Sequence, residues 1–412
     1  MSDLTLGPFV VGMDNVSPET TLHPGAVRDA VNVDFDLSGG MATRPGYTRV
    51  VTEANMHSLW TSPATGVSFC VRGGYVCSLT LSGNTLSSLQ LYRLELDLPV
   101  SFDDLNDGIV FSTEREVGLI AADGTASRLG IENPGGFSAA IVNEPAPPLS
   151  GIAAERVRYG FAISFIGATG EESGLSYGVF LTAMQGSMVR LTLPTPFEAK
   201  TKKILIYRTE PNGDVYRLAA VVPAAVGAWT MNTATAVGRQ ADNQFLERIP
   251  GGKIARYWRG RLLIARGSVL YFSEPMRFGT YDPRHDFIQF PSRITMAQPV
   301  TGGIFVGTEK GNVYFLNGEG PDNMALRRTN GQPPIEGTGT SIEASQLGDL
   351  GENLGARGEI CALWLARNGF VIGTSEGRIV EVQRNRIRLP AEQWTAAGAL
   401  AVKDRQVVAV VN

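Results

Sequence analysis

The chain has 412 residues, enough for two or three domains and more than one hydrophobic core. Its 36 Lys and Arg stand against 40 Asp and Glu, a formal net charge of −4 that excludes a global attraction for nucleic acid and leaves only local basic contacts. Glycine is abundant and no apolar stretch approaches the roughly 20 residues of a membrane helix, so the composition favours short strands and turns over helices or a membrane span.

The start, MSDLTLGPFVVGMDN, has neither a basic opening nor a long apolar run and does not read as a secretory signal, so synthesis in the cytoplasm is expected. Within Ala26–Val50, Val31, Val33 and Phe35 alternate with Asn32, Asp34 and Asp36, which predicts one half-buried strand. Ser38-Gly39-Gly40 and Arg44-Pro45-Gly46-Tyr47 mark turns. The segment 1–50 lacks the pattern that follows and is expected to cap or dock, with Arg28, Asn32, Asp34, Arg44, Pro45 and Tyr47 as its candidate contact residues.

From residue 66 onward one sentence recurs. Gly303–Asn317 reads GIFVGTEKGNVYFLN: an apolar run, a polar turn with glycine, then a second β-rich run, the signature of a tight hairpin. Close copies start at Gly108 and Gly369, looser ones at Gly66, Gly260 and Gly398. A single hairpin cannot bury both faces, so repeated copies must stack. The steps from Gly66 to Gly108 and from Gly260 to Gly303 are each about 40 residues, near the length of a four-stranded propeller blade. Cys70 and Cys77 fall on the two strands of the first hairpin. With Cys361 they read as buried free thiols, whether or not the first two face each other.

The proline run Asn143–Pro148 reads as a linker. After it come short strands at RYGFAISF (158–165), 189–193, KILIYR (203–208), VYRLAAVV (215–222) and 228–231. Their number and spacing predict an immunoglobulin- or fibronectin type III-like β-sandwich inserted between blades. The fold class is therefore all-β, an interrupted β-propeller of five or six blades. Its expected divisions are 1–50 cap, 51–150 first blades, 151–245 sandwich and 246–412 remaining blades.

Candidate chemistry is sparse. Gly174–Gly178 matches G-x-S-x-G, but that motif needs a strand-to-helix elbow, and its surroundings read as a sandwich loop. Asp282, Arg284, His285 and Asp286 crowd one turn, where an ion-paired loop is favoured over a pair of catalytic acids. Arg256, Arg259, Arg261 and Arg266, beside Tyr257 and Trp258, read first as strand-face and inter-blade residues and second as a polyanion platform. No metal-ligand spacing and no phosphate-binding glycine loop appear, and neither cofactor nor enzymatic activity is expected. The polar stretch Gly318–Gly358 reads as one long loop, with Asp322, Asn323, Arg327, Arg328, Asn330 and Glu336 as candidate channel-facing or DNA-facing residues.

Three stretches carry a resemblance: AVRDAVNVDFDLSGGMATRPGY (26–47), RYWRGRLLIARGSVLYFSEPMRFGTYD (256–282) and ITMAQPVTGGIFVGTEKGNVYFLNG (294–318). With the repeat, they resemble the tail-tube (nozzle) or packaged-DNA stabilisation proteins of short-tailed bacteriophages. That resemblance implies a homohexameric ring in the virion tail, below the portal and adaptor and beside other tail proteins or fibres. Double-stranded DNA would be retained by the ring and released through it without sequence-specific contacts. Other readings are a receptor-binding tail protein, a polysaccharide hydrolase using Asp282, Asp286 or Glu274, and a WD-type scaffold. The last lacks its Gly-His…Trp-Asp signature.

Overall fold

The computed structural model describes residues 8–36, 38–44, 46, 55–106, 108–146, 155–347, 354–383, 385–389, 399–403 and 406–410. Among them every regular element is a β-strand except three short 3-10 turns, so the chain is all-β.

Five four-stranded antiparallel sheets follow one another. The first is Met56–Thr61, Ser68–Arg72, Tyr75–Ser82 and Thr85–Arg93. The second is Ser101–Leu105, Gly108–Ser112, Val117–Ala121 and Ala126–Arg128. The third is Ile254–Trp258, Arg261–Arg266, Val269–Phe272 and Phe287–Gln289. The fourth is Ile294–Val300, Gly303–Thr308, Val313–Asn317 and Ala325–Arg328. The fifth is Thr340–Glu343, Ile360–Ala366, Gly369–Gly373 and Ile379–Glu381. Four of the expected hairpins form the two middle strands of these sheets, and the one that starts at Gly369 forms the third and fourth strands of the fifth. The sixth pairs Ala399–Lys403 with Gln406–Val410, and its side chains lie outside the described residues.

The sheets are packed face against face. Phe69 and Val71 of the first meet Phe102 and Phe111 of the second. Val110 and Val117 of the second meet Leu262 and Ile264 of the third. Leu263 and Phe272 of the third meet Ile304 and Leu316 of the fourth, and Phe305 and Phe315 of the fourth meet Trp364 and Val371 of the fifth. A blade between two others has no solvent face. All six residues of Gly303–Thr308 are accordingly buried, and 304–306 is continuously apolar where a half-exposed strand would alternate. Gly373 belongs to the same joint: a Cβ there would lie 2.5 Å from the Phe305 ring. First strands adjoin one another, with Ala255 N donating to Ser101 Oγ at 3.1 Å and Ser341 Oγ donating to Pro299 O at 2.7 Å. Fourth strands form the outer rim, where Ala325–Arg328 is exposed throughout. The arrangement is propeller-like, and among the described residues no sheet closes on itself.

Between the second and third blades in sequence lie two further sheets. One joins Ser138–Asn143, Met188–Thr192 and Ala228–Asn232; the other joins Val179–Met184, Arg156–Gly167, Thr201–Thr209 and Tyr216–Pro223. They share a core in which Tyr159, Phe161 and Ile163 face Val189, Leu191 and Met231. The strand Ser138–Asn143 pairs with Met188–Thr192, so the paired sheets begin ahead of the prolines in sequence, and the run does not mark their boundary with the blades.

Two other expectations change: that the hairpin residues Val306, Phe315, Val371 and Val382 are all buried in inter-strand packing, and that Gly318–Gly358 is one long loop. Val306, Phe315 and Val371 are buried, but Val382 is 38% exposed because its strand ends at Glu381. Gly318–Gly358 is not one long loop. It supplies the outer strand of the fourth sheet and the first strand of the fifth, with Pro321–Asn323 and Ala344–Leu347 as 3-10 turns.

The N-terminal segment forms a small hairpin, Val33–Phe35 with Met41–Thr43, turned by Asp36, whose carboxylate accepts from Ser38 N and Gly40 N at 2.9 and 2.7 Å. Arg28 Nη1 donates to Ser17 O at 2.5 Å, Arg44 N donates to Asn32 O at 2.9 Å, and Asn32 holds a left-handed φ of 61°. Asp34 lies opposite Ala42, while Pro45 and Tyr47 lie outside the described residues. The segment reaches the other end of the chain through Asn15. Its N–H donates to Arg386 O at 2.9 Å, its Nδ2 donates to Arg388 O at 3.0 Å, and its Oδ1 accepts from Arg388 N at 2.8 Å.

Candidate functional site

The six candidate residues of 322–336 separate into three places. Asn323 is a turn residue, its Oδ1 accepting from Glu319 N and Gly320 N at 3.0 and 3.1 Å. Asp322, beside it, lies 3.6 Å from His285 Nδ1. Glu336 sits at the opposite end of the fourth sheet, bound by Arg293 Nη1 at 3.0 Å and by Lys253. Burial acts to raise the Glu336 carboxyl, and the hydrogen bonds from Arg293 and Lys253 outweigh it, leaving it below the usual range. This is a structural ion pair and not a residue free to touch a passing polymer.

Arg327, Arg328 and Asn330 remain together, in an open cleft of about 740 Å³ between the fourth and fifth blades. The opposite wall is Glu376, Gly377, Arg378 and Ile379, at the turn of the fifth blade's outer hairpin. Arg327 is anchored: Nη2 donates to Gly377 O at 2.9 Å, and the guanidinium stands 5.6 Å from the Phe315 ring centroid. Arg328 lies exposed on the outermost strand. Sequence reasoning missed Arg378 and Glu376. They lie about 50 residues downstream in another repeat, and only blade packing brings them opposite Arg327.

The acidic turn is ion-paired and largely buried. Asp286 is 1% exposed; its Oδ2 accepts from Asp282 N at 2.9 Å and its Oδ1 faces Arg261 Nη1 at 3.3 Å. Asp282 accepts from Arg284 Nε and Nη2 at 2.9 and 2.6 Å, and those hydrogen bonds hold its carboxyl below the ordinary range. His285 lies 3.3 Å from each carboxylate. Glu274 is the exception: burial, then the neighbouring Asp286 charge, pushes it up. With both Asp286 oxygens occupied and the residue enclosed, the turn works as a brace between the third blade and the 320 turn.

Ser176 of the G-x-S-x-G match accepts from Ile163 N at 3.0 Å and lies on extended chain beside the strand Arg156–Gly167, away from any strand-to-helix elbow. Arg256 donates to Ser101 Oγ at 3.0 Å and Arg259 donates to Thr301 O at 2.6 Å, so these two arginines tie blades together, while Arg261 meets Asp286 within the third blade. Cys70 and Cys77 are direct cross-strand partners, buried and not joined by a disulfide; burial, then the Cys77 neighbour, pushes the Cys70 thiol up to about 11. Among the described residues no cluster of His, Cys, Asp and Glu could hold a metal ion, and no helix is long and apolar enough to cross a membrane.

No family model matches the chain, and no curated protein matches it. Solved structures with propeller architecture are similar to it at great distance. The Neurospora crassa Pan2 WD40 domain matches at TM-score 0.33 and 10% identity, covering 85% of this chain and 83% of its own. BBS1N in complex with ARL6DN matches at 0.32 and 10%, covering 88% and 95%, and AztD from Citrobacter koseri at 0.26 and 12%, covering 81% and 86%. Likenesses this distant carry no argument about function.

Proposed function

We propose that the chain is a structural subunit of a phage tail tube of the nozzle type. In this reading six copies form a ring in the virion tail, extending the DNA channel below the portal and adaptor, and act without enzymatic chemistry. The observation that carries the reading is the stretch 26–47, one of the three that carry the resemblance, in which Val33–Phe35 and Met41–Thr43 pair as a hairpin in a segment that binds the chain near residue 388. Such a clasp suits a subunit that must stay rigid under load. The serial sheets support the same reading, since rigid modules set around an axis need buried joints and protected edges. Within this proposal the blades close into a ring with the hairpin Ala399–Val410 as the sixth, and the paired sheets are an immunoglobulin- or fibronectin-like module. The test is the position and rotational symmetry of this protein in an intact particle. Sixfold density on the tail axis below the portal is expected; density confined to a peripheral fibre would overturn the proposal.

One observation favours a second reading. Burial, then the neighbouring Asp286 charge, pushes the Glu274 carboxyl up, as the general acid of a glycoside hydrolase requires. Polysaccharide cleavage abolished by Glu274→Gln would establish it; unchanged particle infectivity and no cleavage by the native protein would dismiss it.

A further inference from the structure

The paired sheets hold a site of their own: we infer that one end of their shared core, beneath the turn 184–187, binds a small monovalent anion of the halide class. Three core-facing polar residues meet at that end. Arg208 lies opposite Phe161 on the neighbouring strand, and Tyr159, two residues before Phe161, shares their face, the one that Ile163 and Ile206 turn to the other sheet. From that other sheet comes Ser187, two residues before the core-facing Val189; its N–H closes the turn on Met184 O at 3.1 Å and its carbonyl accepts from Thr233 N at 2.9 Å. Arg208 reaches across to the same place, where Nη1 donates to Asn232 O at 3.3 Å and to Thr233 O, and Nη2 donates to Thr235 O at 2.8 Å. Its Cζ stands 5.5 Å from the Tyr159 ring centroid. Tyr159 and Ser187 are fully enclosed and Arg208 is 2% exposed, yet Arg208 Nε, Tyr159 Oη and Ser187 Oγ have no hydrogen-bond partner among the described residues. Each of the three can donate, and Nε can only donate. The acceptors that Arg208 does have are backbone carbonyls, so its charge is buried with no carboxylate bonded to it among the described residues. Burial disfavours that charge, and Tyr159 and Glu210 offset the effect only in part. A buried charge left unpaired is costly. A water could join the three polar groups but would leave the charge in place, whereas an anion accepts all three hydrogen bonds and neutralises it. With its donors enclosed, the site suits a single small ion and excludes a phosphate ester or a polymer chain.

The site and the proposed tail-tube role fail separately, because particle position tests the role and halide-dependent melting tests the site. Full-length protein would be melted across about 10 to 300 mM sodium chloride, with sodium gluconate, whose anion is too large for the site, holding the ionic strength constant. The melting temperature of the native chain should rise by about 3 °C for each tenfold rise in chloride once the site fills. The comparison set is Tyr159→Phe, the double variant Tyr159→Phe with Ser187→Ala, and Tyr177→Phe as a control whose side chain is 97% exposed. Loss of most of the chloride-dependent rise in the double variant, with Tyr177→Phe unchanged, supports the site. In gluconate alone Tyr159→Phe should melt no lower than the native chain, because its hydroxyl has no protein partner there, and in chloride it should melt lower. Tyr159→Phe keeps the ring and its packing, so this single variant carries the comparison if the double variant does not fold. Equal melting of the native chain in chloride and gluconate would show that solvent alone meets the three groups and would overturn the inference, as would a chloride-dependent rise that the variants keep.

Discussion

The joints between blades and the joint between the blades and the paired sheets are built from different forces. Between the fourth and fifth blades, Phe305, Phe315, Trp364 and Val371 interlock with the two Phe rings 4.9 Å apart. Between the second blade and the paired sheets, Lys200 Nζ donates to Arg128 O and Gly130 O at 2.7 and 2.6 Å, and Glu171 Oε1 accepts from Gly130 N at 2.8 Å. Arg248 bridges Glu198 and Glu132. Apolar contact is non-directional and spread over many atoms, so it sets stability. A few directional hydrogen bonds instead set an angle, and each lost partner leaves a polar group unsatisfied. The blades are thus expected to unfold as one cooperative unit, and the paired sheets to be held in orientation by a handful of polar atoms.

The largest effect should come from charging an apolar joint. Val306→Asp places an unpaired carboxylate among fully buried side chains, at a cost of several kcal/mol. Loss of soluble protein is expected, and a soluble variant with native melting would break the account of the fourth blade. Trp364→Ala should cost about 3–5 kcal/mol by opening a cavity, measured as a lower denaturant midpoint. Next comes the polar joint. Lys200→Ala should cost about 1–3 kcal/mol, with faster hydrogen exchange at residues 128–130 and no change in the fourth and fifth blades. Uniform loss of protection across the chain would erase the distinction between the two joints.

Two carboxyl substitutions sharpen the comparison by opposite sign. The Glu336 carboxyl is held below its ordinary value of 4.5, so its contribution is complete above that pH and is lost as pH falls through the lower folded value. Glu336→Gln should therefore destabilise by about 1 kcal/mol at pH 7 and by much less in acid. Glu274 is pushed up, so its ionised form opposes folding at neutral pH and the penalty lifts as it protonates. Glu274→Gln should raise the melting temperature slightly at pH 7, an advantage that shrinks on acidification. A fall in melting temperature would show that its charge has a partner.

What the sequence by itself determined is the local grammar. The six hairpins, the Ser38-Gly39-Gly40 turn and five strands of the paired sheets depend on residues a few positions apart, and these were legible from apolar runs and turn chemistry, whereas Ser138–Asn143 and Val179–Met184 were not read as strands. Only the tertiary structure decided which repeats touch and what that does to polar side chains. Ala325–Arg328 is exposed on both faces, so it carries no hydrophobic pattern and read as loop. The proline run read as a boundary because the partner of Ser138–Asn143 lies about 50 residues on. Asp282 and Asp286 read as a turn, and only packing showed them buried and braced. Asn15 meeting Arg388, and Arg378 facing Arg327 across a cleft, leave no trace in local spacing. Pairing within a hairpin is set by its own turn, whereas pairing between blades is set by faces whose partners lie tens to hundreds of residues away.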